Sequence, residues 1–103
     1  MTTLQFNELV AGRPIAVDVD GKPACVARVG DEVFAISNIC THSYAELSDG
    51  EIKDFKIECW LHGADFDLRT GEALTLPATE PVETFHAERV GDEVIISQKT
   101  KEN

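Results

Sequence analysis

Two closely spaced pairs of cysteine and histidine limit how this chain can fold. Cys40-Thr-His42 is followed, after sixteen residues, by Cys59-Trp-Leu-His62. Together the pairs hold two of the three cysteines and two of the three histidines in a chain of 103 residues. Each pair fits on one tight loop, with both side chains pointing to one side. The pattern therefore indicates a metal centre that two neighbouring loops form together.

The rest of the chain has the pattern of short antiparallel strands. Ile15, Val17 and Val19 alternate with Ala16 and aspartates, which predicts a half-buried strand. Turns are predicted at Asp20-Gly21, at Gly30 and at Gly91. The last two turns lie within the same hexapeptide, Arg-Val-Gly-Asp-Glu-Val. We interpret this repeat as two similar hairpins, because one recurrence is too few for stacked repeat units.

Helical signals are scarce. The segment FNELVAG predicts one short turn capped by Asn7, and SYAELSDG predicts another that ends at Gly50. Thr70-Gly71 predicts the tip of a further hairpin. Short strands with regular turns indicate an all-β fold, an antiparallel sandwich or barrel. With 103 residues and no linker, we expect a single domain over residues 1–103.

Charge and composition narrow the partners. The formal net charge of −10 disfavours nucleic acid and anionic membranes, whose phosphates would repel the chain. It favours a partner with a basic docking face. The sequence has no apolar stretch of membrane-spanning length and no pattern of a secretory signal at its N-terminus. We therefore expect a cytoplasmic protein without a membrane partner.

Three interpretations of the Cys–His pairs compete. The four residues could bind no metal, although two such pairs by accident are improbable. They could hold a structural zinc ion, for which a Cys₂His₂ set is suitable, but zinc loops usually pair like ligands. They could instead hold a two-iron, two-sulfide cluster, in which one iron takes two thiolates and the other takes two imidazoles. A loop with one Cys and one His can then give one ligand to each iron.

The segments CTH and CWLHGADFDLRTGEAL closely resemble the Rieske iron–sulfur proteins, specifically the small Rieske-type ferredoxins. The resemblance runs from about Ile15 to Ser97. It implies stacked antiparallel β-sheets with a small cluster-binding subdomain formed by two loops, at about residues 38–67. It also implies one [2Fe–2S] cluster, with Cys40 and Cys59 on the inner iron and His42 and His62 on the outer iron.

The chain departs from the high-potential members of that family at four positions. The family's extra disulfide cysteines correspond to Ala45 and Leu61, and its serine and tyrosine hydroxyls correspond to Ala64 and Phe66. Donors to sulfur stabilise the reduced cluster, so their loss lowers the potential. Five acidic residues between the ligand pairs, against two lysines, act in the same direction. We expect a potential toward the low end of the Rieske range of about −150 to +300 mV.

The resemblance implies a one-electron carrier and not an enzyme. Such a ferredoxin takes electrons from a flavin-dependent NAD(P)H reductase and passes them to a terminal Rieske oxygenase. Trp60 stands where the family commonly has proline, and with Leu61 it is either a docking anchor at the cluster tip or an inward-packing residue. Cys25 is expected to be a buried inert thiol, and His86 a strand-face residue.

Three other functions stay open on the sequence. A Rieske-like ferredoxin can serve iron–sulfur cluster assembly. The chain could also be the small Rieske-like subunit of a nitrite reductase, or a structural zinc domain.

Overall fold

The computed structural model describes residues 2–39, 45–60, 63–75 and 80–99. Within these ranges it contains antiparallel strands and two short 3₁₀ turns, and no α-helix. The strands are β1 (Thr2–Gln5), β2 (Ile15–Val19), β3 (Lys22–Val29), β4 (Glu32–Ser37), β5 (Glu51–Lys53), β6 (Lys56–Glu58), β7 (Asp65–Asp67), β8 (Thr84–Val90) and β9 (Glu93–Gln98). The predicted all-β fold is confirmed.

The larger sheet has six strands in the order β1-β9-β8-β4-β3-β2, with antiparallel neighbours throughout. Its two edge strands lie close together. The Thr2 hydroxyl of β1 donates a hydrogen bond of 2.6 Å to the Asp18 carbonyl of β2. The hairpins predicted at Gly21, Gly30 and Gly91 join β2 to β3, β3 to β4 and β8 to β9. The sheet is therefore curled toward a barrel.

The repeated hexapeptide forms two hairpins, as predicted, and the structure shows that both contain the same local side-chain bond. Arg28 Nε donates to the Gly30 carbonyl at 2.8 Å, and Arg89 Nε donates to the Gly91 carbonyl at 2.9 Å. Both guanidinium groups also lie over the ring of Phe6, at 4.1 and 3.6 Å from its centroid. One buried aromatic ring thus joins the two hairpins through cation–π contacts.

Phe6 begins the first 3₁₀ turn, Phe6–Glu8. The predicted capping by Asn7 is wrong, since Gln5 occupies the N-cap position and makes no side-chain cap bond. The turn is held instead by the Phe6 N–H, which donates to the Asp92 carbonyl at 2.7 Å, and by burial of the ring. The second turn, Leu47–Asp49, ends at Gly50 as predicted.

Strand β3 is the wall between two apolar cores. Its residues Ala24 to Ala27 are all buried. Ala24 and Val26 pack in the core of the curled sheet, while Cys25 and Ala27 pack in a second core. The second core lies between the large sheet and the smaller sheet β5-β6-β7. This small sheet, with the loops that adjoin it, is the part of the structure that holds Cys59, one of the predicted ligands.

The small sheet ends in the hairpin predicted at Thr70-Gly71. After the turn, the described residues up to Thr75 form a single bridge, Ala73 to Phe66, and no strand. Gly71 has a φ of +80° and its N–H donates to the Asp67 carbonyl at 2.7 Å. The Gly71 carbonyl in turn accepts a hydrogen bond of 2.8 Å from the Val82 N–H. The hairpin thereby fastens the subdomain to the segment that leads into β8.

Candidate metal centre

Of the four predicted ligands, the structure describes Cys59. Its side chain is fully buried, directly after β6. Cys40, His42 and His62 lie outside the described residues, as does Leu61. The arrangement of the site is therefore given by Cys59 and by the residues at the base of each ligand loop.

The base of the second loop is a tight backbone turn. The Cys59 N–H donates to the Ala64 carbonyl at 2.7 Å, and the Gly63 N–H donates to the Cys59 carbonyl at 2.8 Å. Gly63 has a φ of +75°, in the left-handed region that favours glycine. These two bonds hold the ends of the CWLHGA segment together, and they place a buried thiol at its start.

The base of the first loop is closed in a different way. Ile39 and Glu46 form an antiparallel bridge on either side of residues 40–44. Beneath the bridge lies Asn38, a buried amide. Its carbonyl accepts from the Leu47 N–H at 2.7 Å, and its Oδ1 accepts from the Ser48 N–H at 2.8 Å. The chain therefore enters and leaves the first ligand loop side by side.

The two loop bases are in direct contact. Gly50, which ends the second 3₁₀ turn, packs so closely on the carbonyl of Glu58 that a Cβ there would collide with it. Glu58 immediately precedes Cys59. Ala45, at the end of the first loop, packs in the same apolar core as Cys59. Both predicted ligand loops thus start from one closely packed region.

The residues that the structure describes around the Cys59 side chain are apolar. Ala64 and Phe66 are fully buried in the same core, and neither side chain has a hydrogen-bond donor. A buried thiol at a loop base, shielded by small apolar residues, fits a thiolate ligand of a water-protected iron–sulfur cluster. The described part of the donor set therefore agrees with the cluster that the sequence indicates.

Cys25 lies in the same core but on β3. Burial raises the pKa of this thiol from its ordinary value of 9.0 to about 12. It is therefore a neutral thiol over the physiological range, as expected for a packing residue. His86, on β8, is exposed on the sheet surface, which confirms its assignment as a strand-face residue.

Two exposed apolar side chains lie next to the ligand positions. Trp60 follows Cys59 and is 55% exposed, and Ile39 precedes Cys40 and is 37% exposed. The alternative that Trp60 packs inward is wrong. Sequence reasoning missed Ile39 and Asn38, and it predicted Gly50 as the end of a turn but not its packing on Glu58. The signal for Asn38 was the polar pair Ser37-Asn38 between the apolar run of β4 and the first predicted ligand.

Acidic side chains surround the loop bases. Glu46, Asp49, Glu51 and Asp54 are exposed, and Glu58 is half-buried. Glu51 and Glu58 are directly opposite each other across β5 and β6. Like charges in such a pair repel each other. The local potential around the centre is therefore negative, which favours the more positive oxidised state of a bound cluster.

A family profile and the sequence relatives of the chain agree on one protein family. The sequence profile of the Rieske [2Fe–2S] domain matches residues 1–86. The anthranilate 1,2-dioxygenase ferredoxin subunit of Burkholderia cepacia is 37% identical over 92 residues, which cover 89% of this chain and 85% of that protein.

Solved structures agree with the sequence relatives. The ferredoxin of carbazole 1,9a-dioxygenase from Nocardioides aromaticivorans IC177 superposes with a TM-score of 0.92 at 39% identity, covering 96% of this chain and 97% of that chain. A chain from the complex of reduced oxygenase and oxidized ferredoxin in carbazole 1,9a-dioxygenase superposes with a TM-score of 0.88 at 33% identity, covering 97% of each. The described residues contain no helix long and apolar enough to cross a membrane. The chain belongs to the Rieske [2Fe–2S] family, as an electron-transfer ferredoxin that carries one [2Fe–2S] cluster.

Proposed function

We propose that Cys40 and Cys59 bind the inner iron of the cluster and that His42 and His62 bind the outer iron. The observation that carries this assignment is the buried Cys59 thiol at the base of a tight loop, in a core whose other described thiol, Cys25, lies on β3 and not in a ligand loop. The two ligand loops, at about residues 38–67, then form one site within a single Rieske domain over residues 1–103. When bound, the cluster supplies a site that accepts and releases one electron.

We infer that the ferredoxin takes electrons from a flavin-dependent NAD(P)H reductase and passes them to a terminal Rieske oxygenase. Support comes from the relatives, which are named as ferredoxins of aromatic-ring dioxygenases, and from the solved oxygenase–ferredoxin complex. These names favour oxygenase supply over cluster assembly or nitrite reduction. Among the described residues, Cys25 and Cys59 are free thiols, which suits the reducing cytoplasm, where we place the protein.

The chain's own residues have three tasks in this role. Cys59, Ala64 and Phe66 keep water away from the inner side of the site. The acidic residues around the loop bases attract a partner with a basic face. Trp60, with Leu61, forms the apolar part of a docking surface at the cluster tip. A carrier must release its partner quickly, so a small interface with one aromatic anchor is suitable.

Metal analysis tests the ligand assignment. Freshly purified protein should hold about two irons and two acid-labile sulfides per chain, with the visible absorption of a Rieske cluster. Cys59→Ser should lose the cluster, whereas Cys25→Ser should retain it. Stoichiometric zinc in a colourless wild-type protein would contradict the assignment.

A reconstituted electron-transfer chain tests the docking surface. Trp60→Ala should leave the visible spectrum nearly unchanged and weaken oxygenase turnover at limiting ferredoxin. Val90→Ala is the matched control, because Val90 is also 55% exposed but ends β8, away from the ligand loops. If both variants support full turnover, docking through Trp60 is excluded. Cluster loss in Trp60→Ala alone would show that the ring has a structural role.

A further inference from the structure

Asn38 is the sole buried side chain of polar or charged type within the residues that the structure describes, with 2% of its surface exposed. It lies two positions before Cys40, at the point where β4 ends and the first ligand loop begins. A buried amide is costly unless its polar atoms have hydrogen-bond partners. Its presence in an otherwise apolar core therefore requires a reason.

The hydrogen bonds of Asn38 join three segments. Its N–H donates to the Pro23 carbonyl of β3 at 3.1 Å. Its carbonyl and its Oδ1 accept from the Leu47 and Ser48 N–H groups, at 2.7 and 2.8 Å. The backbone bonds could form with many residues at position 38. The bond from the Ser48 N–H needs an acceptor on the side chain of residue 38. It holds the 3₁₀ turn Leu47–Asp49, which follows the first ligand loop.

The same turn determines where the second loop starts. Gly50 follows Ser48 by two residues and packs on the Glu58 carbonyl, one residue before Cys59. A shift of the turn is therefore transmitted to the backbone beside Cys59. A continuous line of contacts runs from β3 through Asn38, Ser48 and Gly50 to Glu58, and it touches the base of both ligand loops.

We propose that Asn38 is a positioning residue that sets the spacing between the two ligand loops, and through it the coordination of the cluster. This inference rests on the proposed ligand assignment. Groups that hold ligands in place typically contribute about 10–100-fold to metal affinity. A residue that served only packing would affect the stability of the fold and leave the electronic structure of the bound cluster unchanged.

The test compares Asn38→Leu with Asn38→Asp. Leucine has nearly the same volume and no acceptor, whereas aspartate keeps an oxygen at the Oδ1 position. We expect Asn38→Leu to release iron to a chelator about 10–100-fold faster, and to broaden or shift the EPR g-values of the reduced cluster. Asn38→Asp should restore the line widths and slow iron release.

Val94→Ala is the control for lost stability, because Val94 is buried in the other core. It should weaken folding without altering the EPR spectrum. Wild-type g-values in Asn38→Leu, or equal defects in Asn38→Leu and Asn38→Asp, would overturn the proposal. If Asn38→Leu retains no cluster, full loading of Asn38→Asp and Val94→Ala supports it, and an empty Asn38→Asp overturns it. A wild-type protein without a Rieske EPR signal would contradict the ligand assignment instead.

Discussion

Ala64 and Phe66 show how single side chains can tune this centre. Both are buried in the core that contains Cys59, and each stands where high-potential Rieske proteins have a hydroxyl. A hydroxyl that donates to sulfur stabilises the reduced state more than the oxidised state, because the reduced cluster is more negative. The chain lacks both donors, so we expect a lower reduction potential than in those proteins.

Phe66→Tyr and Ala64→Ser should each raise the reduction potential. A differential of about 1 kcal/mol for one such bond corresponds to about 40 mV in a one-electron step. Protein-film voltammetry measures the shift. Phe85→Tyr, which adds the same hydroxyl in the other core, should leave the potential unchanged. If the three variants all have the wild-type potential with intact clusters, positions 64 and 66 do not face the cluster.

Burial of Cys25 should lower the free energy of unfolding at alkaline pH. Its pKa is about 12 in the folded protein, raised by burial from 9.0. Above pH 9.0 the unfolded state loses the Cys25 proton, whereas the folded state keeps it up to about pH 12. The free energy of unfolding is therefore unaffected by this thiol below pH 9.0 and decreases as the pH rises from 9.0 toward 12. The loss is on the order of 4 kcal/mol at the upper end.

Urea denaturation measured at several pH values across that window checks this prediction. The wild-type protein should lose stability as the pH rises, and Cys25→Ala should lose less over the same window, because it lacks the titrating thiol. Equal slopes for the two proteins would show that other groups cause the alkaline weakening.

At the scale of elements, the second 3₁₀ turn packs so closely on β6 that a Cβ atom does not fit at position 50. Gly50 has extended backbone angles that any residue can adopt, so its requirement is steric. Gly50→Ala should separate the turn from β6 and cost about 1–3 kcal/mol of overpacking, with loss of iron. Urea denaturation and iron content measure the two effects.

Gly30→Ala is the comparison for that variant. Gly30 has a φ of +62° and open space around its Cα. Alanine there should cost about 1–2 kcal/mol of backbone strain but keep the cluster, since the hairpin is far from the ligand loops. If Gly50→Ala retains its iron as well as Gly30→Ala does, the contact with Glu58 does not support the site.

The elements differ in how far the sequence predicts them. Hairpins at Gly21, Gly30 and Gly91 were predictable because turn chemistry is local. The exposure of Trp60 was not, since an aromatic ring beside a ligand can pack either way. The role of Asn38 and the packing of Gly50 were not predicted, because they depend on contacts with other segments, Ser48 and Glu58. Local patterns therefore predict ligand positions but not the contacts that support the bases of the two loops.

At the scale of the whole molecule, the net charge of −10 should control how fast partners meet. Electron transfer to a partner with a basic face should slow as salt rises, because charges are screened over about 8 Å at physiological ionic strength. Stopped-flow measurements at several salt concentrations give the dependence of the electron-transfer rate on ionic strength.

Two variants that each remove one negative charge test which part of the surface attracts the partner. Glu46→Gln, beside the first ligand loop, should reduce the salt dependence. Glu93→Gln changes the net charge equally but lies at the start of β9, at the hairpin end of the sheet. It should have little effect. A rate that is independent of salt in the wild-type protein would exclude acidic steering.

Strand β3, which two cores share, also constrains how this chain can evolve. Its Ala-Cys-Val-Ala segment is buried on both faces, so a larger side chain at any of these positions displaces one layer or the other. We therefore expect substitutions at exposed positions such as Ile39 and Trp60 to be tolerated, and larger side chains in this segment to be selected against. A laboratory library for a new oxygenase should accordingly randomise the tip and leave Ala24–Ala27 intact.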